Sequence, residues 1–167
     1  TDYNNNKIRK IEISTGAVTT LAGSSSGYTD GTGTSARFKH PLGITTDGTN
    51  LYVTDQFNHT IRKIVISTGA VTTFAGSPGS YGSTAGTGTS AKFYYPVGIT
   101  TDGTNLYVAD QNNHKIRKIV IATRVVSTLA GSSSGYFNGP MDIVIDGTNL
   151  YVADYGNHKI RKITLRG

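Results

Sequence analysis

The sequence predicts an all-β fold, a β-propeller of four-stranded antiparallel blades, with about three and a quarter blades in the chain. Two observations carry this prediction. Short β-branched runs alternate with Gly, Asn, Asp and Thr turns and show no helical period. A unit of roughly 40–50 residues, each with four such runs, then recurs along the chain, as in propeller blades.

The repeat is visible in its aspartates and in direct alignment. Asp55, Asp110 and Asp154 each end a Leu-Tyr-Val-(Thr/Ala) run, at spacings of 55 and then 44 residues. Residues 41–76 and 96–131 align without gaps and are identical at 27 of 36 positions. Similarity this high between neighbours indicates recent duplication or an engineered array.

The strands of each unit, named a to d from the inner to the outer edge, can be placed from the turn residues between them. In the second complete unit, Asp-Gly-Thr-Asn separates strands a and b, a strong tight-turn signal. A polar turn with Asn-His separates strands b and c. The predicted strands of this unit are 98–101, 106–109, 115–121 and 125–129.

The whole chain, 1–167, is predicted to be one propeller segment of thirteen strands. It comprises a partial c–d blade at 1–23, complete blades at 41–76 and 96–131, and a partial a–b–c blade at 140–167. Because propellers typically carry four to eight blades, we expect a homodimer that completes a six-bladed ring. One c strand per chain is then redundant, so either 1–13 or 157–167 would be displaced. The alternative is a piece of a longer propeller.

Three Asn-His pairs, each followed after one residue by Ile-Arg-Lys-Ile, resemble the NHL repeat. They are Asn58-His59, Asn113-His114 and Asn157-His158, within the longer pattern Pro-x-Gly-Ile-x-x-Asp-Gly-x-Asn-Leu-Tyr-Val-Ala-Asp. The position of the family's Leu is Thr60, Lys115 and Lys159 here. The resemblance implies a β-propeller, commonly of six blades, and leaves RNA binding, protein binding and catalysis all open.

The repeated acidic and histidine residues are predicted to be structural. We expect Asp55, Asp110 and Asp154 to bond to nearby backbone amides, and His59, His114 and His158 to bond within their own turns. Equivalent turns fan out around a ring, which argues against a shared metal ion. No nucleophile elbow, phosphate loop or cofactor motif is present, and Cys is absent.

The basic residues concentrate in the c strands and recur with the blade. They are expected to form bands on the outer wall, either as a solvated face or as a surface for an anionic partner. This predicted basic surface comprises Arg62, Lys63, Arg117, Lys118, Arg161 and Lys162.

Aromatic residues concentrate in the d-to-a loops, which emerge on the same face as the b–c turns. Phe38 and Phe93 are predicted to pack between blades, because each lies three residues before the proline of strand a. The loop residues predicted to form a ligand-binding face are Tyr28, Arg37, His40, Tyr81, Lys92, Tyr94, Tyr95, Tyr136 and Phe137.

The sequence therefore predicts a non-catalytic binding or scaffold module, without a cofactor, whose partners are a second copy of the chain and a protein or glycan ligand. The net charge of +6 keeps RNA or another polyanion open as an alternative. A metal-dependent lyase resembling other NHL enzymes, and an engineered propeller segment without a ligand, are further alternatives. The sequence has no long apolar run of the kind that predicts membrane insertion. Its composition favours an exported bacterial protein.

Overall fold

The computed structural model describes residues 1–131 and 136–165, and the loop 132–135 and the final two residues of the predicted 140–167 segment lie outside them. The chain forms four antiparallel sheets in succession. Its strands are β1 (Ile8–Ile11), β2 (Val18–Ala22), β3 (Gly31–Thr32), β4 (Pro41–Thr46), β5 (Asn50–Asp55), β6 (Thr60–Val65), β7 (Ala70–Ala75), β8 (Gly86–Thr87), β9 (Pro96–Thr101), β10 (Asn105–Asp110), β11 (Lys115–Val120), β12 (Val125–Ala130), β13 (Pro140–Ile145), β14 (Asn149–Asp154) and β15 (Lys159–Thr164).

The sheets are successive blades of a partial propeller. The first partial blade is β1–β2, the last partial blade is β13–β14–β15, and the two complete blades lie between them. All thirteen predicted strands are present. Among the described residues, the helical elements are three-residue 3₁₀ turns, and no helix is long and apolar enough to cross a membrane.

The prediction of four strands per blade is wrong for the two complete blades, which each have a fifth. The strand orders are β3-β7-β6-β5-β4 and β8-β12-β11-β10-β9. The connection from β2 first adds β3 to the outer edge of the next blade, where Gly31 pairs with Val71. It then crosses to the inner strand β4. Each long loop therefore joins neighbouring blades through backbone hydrogen bonds, which side-chain periodicity does not reveal.

The Asp-Gly-Thr-Asn turns between strands a and b are fixed by their own side chains. The Asp47 Oδ1 atom accepts hydrogen bonds from the backbone amides of Thr49 (2.9 Å) and Asn50 (2.7 Å). Tyr52 in the following strand donates its hydroxyl to Asp47 Oδ2 at 2.9 Å. Burial acts to raise the pKa of Asp47, but these donors outweigh it and lower that pKa to about 2. The same arrangement recurs at Asp102 and Asp146.

The core lies between blades, because each complete blade packs against a neighbouring blade on both faces. Phe38 and Phe93 are fully buried at the junctions that precede the two complete blades, as predicted. The prediction that Phe137 faces a ligand is wrong, because its side chain is 3% exposed in the core between the last two blades. Phe137 stands three residues before Pro140, as Phe38 and Phe93 stand before their prolines, and is the third member of the set.

Candidate functional site

The repeated aspartates hold a buried polar network between strands b and c and the loop that enters the blade. Asp55 Oδ2 accepts hydrogen bonds from Arg62 Nη1 (2.9 Å) and Asn58 Nδ2 (2.7 Å), and Asp55 Oδ1 accepts from the Lys39 amide (2.7 Å). Burial raises the pKa of Asp55, while these donors oppose the rise. The same contacts surround Asp110. The network ties each entry loop to its blade.

The prediction that Arg62 and Arg117 belong to an outer basic surface is wrong. Both side chains are fully buried and paired with Asp55 and Asp110. Their guanidinium groups lie 5.0 Å from the ring centre of Phe38 and 5.1 Å from that of Phe93. The physical reason is that blades stack face to face, so the Arg62 and Arg117 side chains lie in the packing between blades, against Phe38 and Phe93.

The other residues of the predicted basic surface differ in exposure. Arg161 pairs with Asp154 and is partly exposed, because no described blade follows it. Burial acts to raise the pKa of Asp154, but its donors, Arg161 among them, outweigh burial and lower that pKa. Lys63 and Lys118 are half-buried, and Lys162 is exposed.

The repeated histidines bond within their own turns through their backbone amides, as predicted. The prediction is wrong for the side chains of His59 and His114, which instead join one blade to the next. His59 Nδ1 accepts a hydrogen bond from the backbone amide of Tyr95 (3.2 Å), and His114 Nδ1 accepts one from Gly139 (2.9 Å). Both acceptor residues have left-handed backbone conformations, at φ +60° and +55°. His158, which has no described blade after it, is exposed.

Asn6 occupies the position equivalent to His59 and makes the same clamp. Its Oδ1 atom accepts a hydrogen bond from the backbone amide of His40 at 2.9 Å. The position held by Asn6 and His59 therefore requires a side-chain hydrogen-bond acceptor placed to meet the backbone amide of the next loop, and does not require an imidazole ring. Burial, together with the positive charge of Lys39, lowers the pKa of His59.

The structure brings several aromatic rings of the predicted ligand face into one continuous array. Tyr81 and Tyr94 stack with ring centres 4.5 Å apart, and Tyr94 and Tyr95 stack at 5.1 Å. From Tyr95 the array continues through Phe57 (5.0 Å) and His40 (4.7 Å from Phe57). It ends at Tyr3, 4.5 Å from His40, and the seventh member, His59, contacts all three stacked tyrosines. We call this array the aromatic face; its members are Tyr3, His40, Phe57, His59, Tyr81, Tyr94 and Tyr95.

Sequence reasoning missed three members of the aromatic face. Tyr3 and Phe57 lie in b–c turns, whereas the predicted ligand face consists of d–a loop residues. His59 is predicted from the sequence to be a structural residue of its own turn. The available signal was that b–c turns and d–a loops emerge on one side of a propeller, so aromatics in both kinds of turn can meet.

The remaining predicted ligand-face residues are not members of this array. Tyr136 packs edge-on against Phe137 and lies under the Arg161 guanidinium, 4.7 Å from its ring centre. Tyr28 and Arg37 are exposed, and Lys92 is half-buried with its stem beside Gly82.

The repeated Asn side chains of the b–c turns make structural contacts. Asn58 heads a formal Asn-x-Thr glycosylation pattern, yet its side chain is 4% exposed and donates to Gly27 O and Asp55. Across residues 1–131 and 136–165, no cluster of three His, Asp or Glu side chains could hold a metal ion.

Comparison with known proteins gives consistent relatives. Human NHL repeat-containing protein 2 is 36% identical over 140 residues, which is 77% of this chain and 19% of that protein. The chloroplastic protein SUPPRESSOR OF QUENCHING 1 of Arabidopsis thaliana is 35% identical over 130 residues, 71% of this chain and 12% of that protein. The chain thus spans about a fifth or less of these curated relatives. No family model matches it.

Solved structures share the fold. A Bacteroides thetaiotaomicron protein of unknown function superimposes with a TM-score of 0.77 at 26% identity, over 96% of this chain and 42% of that one. An auxiliary nutrient binding protein from the same species gives 0.76 at 21% identity, over 96% and 43%. Virginiamycin B lyase from Staphylococcus aureus gives 0.66 at 21% identity, over 98% and 47%. With its repeated Asp-x-x-Asn-His turns, its stacked blades and its curated relatives, the chain belongs to the family of NHL-repeat proteins.

Proposed function

We propose that this chain is a non-catalytic binding module whose ligand contacts the aromatic face. The observation that carries the proposal is the unbroken contact of seven rings across the loops of three successive blades. Loops held by a rigid scaffold are where propellers and other β folds place their binding residues. Tyr rings combine apolar area with a hydroxyl group and suit recognition at low entropic cost.

The acid–base residues of the repeats support a binding role over a catalytic one. Asp55 and Asp110 form buried ion pairs with Arg62 and Arg117. The His59 Nδ1 atom accepts a hydrogen bond from a backbone amide. A catalytic base has to be within reach of a substrate proton. These groups point into packed junctions between blades.

The binding proposal is tested with soluble probes of three classes: oligosaccharides, single-stranded oligonucleotides and proline-rich peptides. Binding is followed by amide NMR shifts and calorimetry on the wild-type chain, Tyr94→Ala and Tyr155→Ala. Tyr155 is the matched control because it is 70% exposed and lies outside the aromatic face. The expected result is saturable binding of one class that Tyr94→Ala abolishes and Tyr155→Ala retains. Binding that is indifferent to Tyr94, or no binding by any class, would contradict the proposal.

We further propose that the chain associates with a second copy to complete a six-bladed ring. Apolar side chains at both ends of the array are exposed where their repeat equivalents are covered. Ile160 is 75% exposed, whereas Ile61 and Ile116 are fully buried against the following blade. Ile11 is 61% exposed, whereas Ile64 and Ile119 are buried against the preceding blade. The two ends thus present the two complementary sides of an inner junction.

Light scattering on a sizing column tests the assembly. A dimer of twice 17.7 kDa, about 35 kDa, is expected. Here β1 pairs with β2 and β15 with β14, so completion in trans would release one of the segments 1–13 and 157–167. Amide hydrogen exchange should then show one of them unprotected in the dimer. A monomer at all concentrations would refute the dimer.

A further inference from the structure

The stacked tyrosines cover part of one another's ring faces. Tyr81, Tyr94 and Tyr95 stack at interplanar angles of 21° and 27°, so neighbouring rings occupy each other's faces. Tyr81 is the most exposed of the three, at 59%. Across residues 1–131 and 136–165, the tyrosine hydroxyls with a hydrogen-bond partner belong to Tyr52, Tyr107 and Tyr151. A row of hydroxyl groups that can donate or accept is therefore open to a ligand.

Two lysines, Lys39 and Lys92, lie near this row. Lys39 is exposed and close enough to His59 for its charge to contribute to the lowered pKa of that ring. The stem of Lys92 lies beside Gly82, next to Tyr81 in the chain. Asp55 and Asp110, which open the b–c turns of the two complete blades, are buried in ion pairs and not available to a ligand. The local field is therefore positive and complements an anionic ligand.

We infer that the ligand of the aromatic face is an acidic oligosaccharide, an inference that rests on the proposed binding function. Sugar hydroxyls can exchange hydrogen bonds with the phenol groups of Tyr81, Tyr94 and Tyr95, and uronate carboxylates can pair with Lys39 and Lys92. Single-stranded nucleic acid fits less well, because its bases need open ring faces on which to stack. At the tyrosine stack, the faces at which Tyr81, Tyr94 and Tyr95 meet one another are already covered.

The test uses trigalacturonate and a hyaluronan tetrasaccharide as acidic probes, and the methyl ester of trigalacturonate as the matched uncharged probe. Saturable binding of at least one acidic probe is expected, with the ester about tenfold weaker if it binds at all. Tyr94→Phe removes one hydroxyl while keeping the ring, and Lys39→Gln removes one charge. Each should weaken binding several-fold, while Tyr155→Phe, outside the aromatic face, should leave it unchanged.

The outcomes separate this inference from the binding function beneath it. Failure of both acidic probes to bind up to about 10 mM, or equal binding of the acid and its ester, overturns the acidic oligosaccharide. If an oligonucleotide or a peptide binds instead and Tyr94→Ala abolishes that binding, the aromatic face stands as a binding site and only its ligand class is wrong. If no probe binds more weakly to the Tyr94 variants than to the wild-type chain, both proposals fail.

Discussion

The Arg62 guanidinium and the Asp55 carboxylate form an ion pair of 2.9 Å in which neither side chain is exposed to water. Arg62 also donates to the backbone oxygens of Arg37 and Thr29, in the loop that enters the same blade. One side chain thus connects strand c, strand b and the entry loop. Arg117 and Asp110 repeat the arrangement one blade later.

Replacing Arg62 with Met should lower the free energy of unfolding by about 3–5 kcal/mol, because it leaves the Asp55 carboxylate buried without its partner. Urea denaturation at neutral pH measures the change. Lys63→Met, at a half-buried position one residue along the same strand, is the control and should cost less than about 1 kcal/mol. Equal losses of unfolding free energy in the two variants would show that the Arg62–Asp55 ion pair does not contribute more to stability than the Lys63 side chain does.

The blade clamp at His59 should make stability depend on pH. The pKa of His59 is lowered in the folded chain, so the unfolded chain binds the proton first as pH falls. The stabilisation is complete above the unfolded pKa of about 6.5 and is lost as pH falls from there to the folded pKa. Thermal unfolding between pH 7.5 and 5 measures the loss.

The repeat already carries Asn in place of His at one equivalent position, Asn6, so a His-to-Asn substitution can separate the pH dependence of stability from the hydrogen bond itself. His59→Asn should remove its share of the pH dependence while keeping the clamp, because Asn6 makes the same bond to the His40 amide. His158→Asn, at an exposed equivalent position, should leave the pH profile of the wild type unchanged. A profile in His59→Asn as steep as the wild type would mean that His59 is not the titrating group.

Gly76 is required by close backbone approach as well as by its conformation. Its φ is +86°, and a Cβ atom there would lie 2.6 Å from His59 O. Gly76→Ala should cost more than about 2 kcal/mol of unfolding free energy. Gly103→Ala is a matched control, because Gly103 has the same φ of +86° but open space around it, so it should cost only about 1 kcal/mol. Chemical denaturation of the pair separates steric overlap from backbone strain, and equal costs would exclude the overlap.

The turn at Asp102 should contribute stability that acid removes. Burial acts to raise the pKa of Asp102, but bonds from Asn105, Thr104 and Tyr107 lower it to about 2. Its stabilisation is present above the unfolded pKa of about 4 and is lost as pH falls from 4 to 2. Because the position is exposed, the loss should be about 1 kcal/mol. Urea titrations at pH 5 and 2.5 should show this loss in the wild type and a smaller one in Asp102→Asn, whereas an identical loss would assign it elsewhere.

The sequence determined the blade plan of this protein, because local patterns encode it. Asp-Gly-Thr-Asn specifies a tight turn through bonds between neighbours, and the 27 shared positions of two units require equivalent strands. Phe38 and Phe93 could be assigned to the junctions between blades because each lies three residues before the proline that opens strand a. Phe137 lies at the same distance from Pro140, but the loop before it is shorter, so the sequence alignment did not show that it is equivalent to Phe38 and Phe93.

Only the tertiary structure decided which residues are buried and which residues of different blades contact each other. Strand periodicity distinguishes two sides of a strand, but in an inner blade both sides pack against neighbouring blades. Arg62 and Arg117 are therefore buried where the recurrence of cations in the c strands predicted an outer basic surface. The His59 clamp and the contact of Tyr95 with Phe57 join residues from different blades. The distance between such partners depends on how one sheet is placed against the next, and no local pattern in the chain encodes that placement.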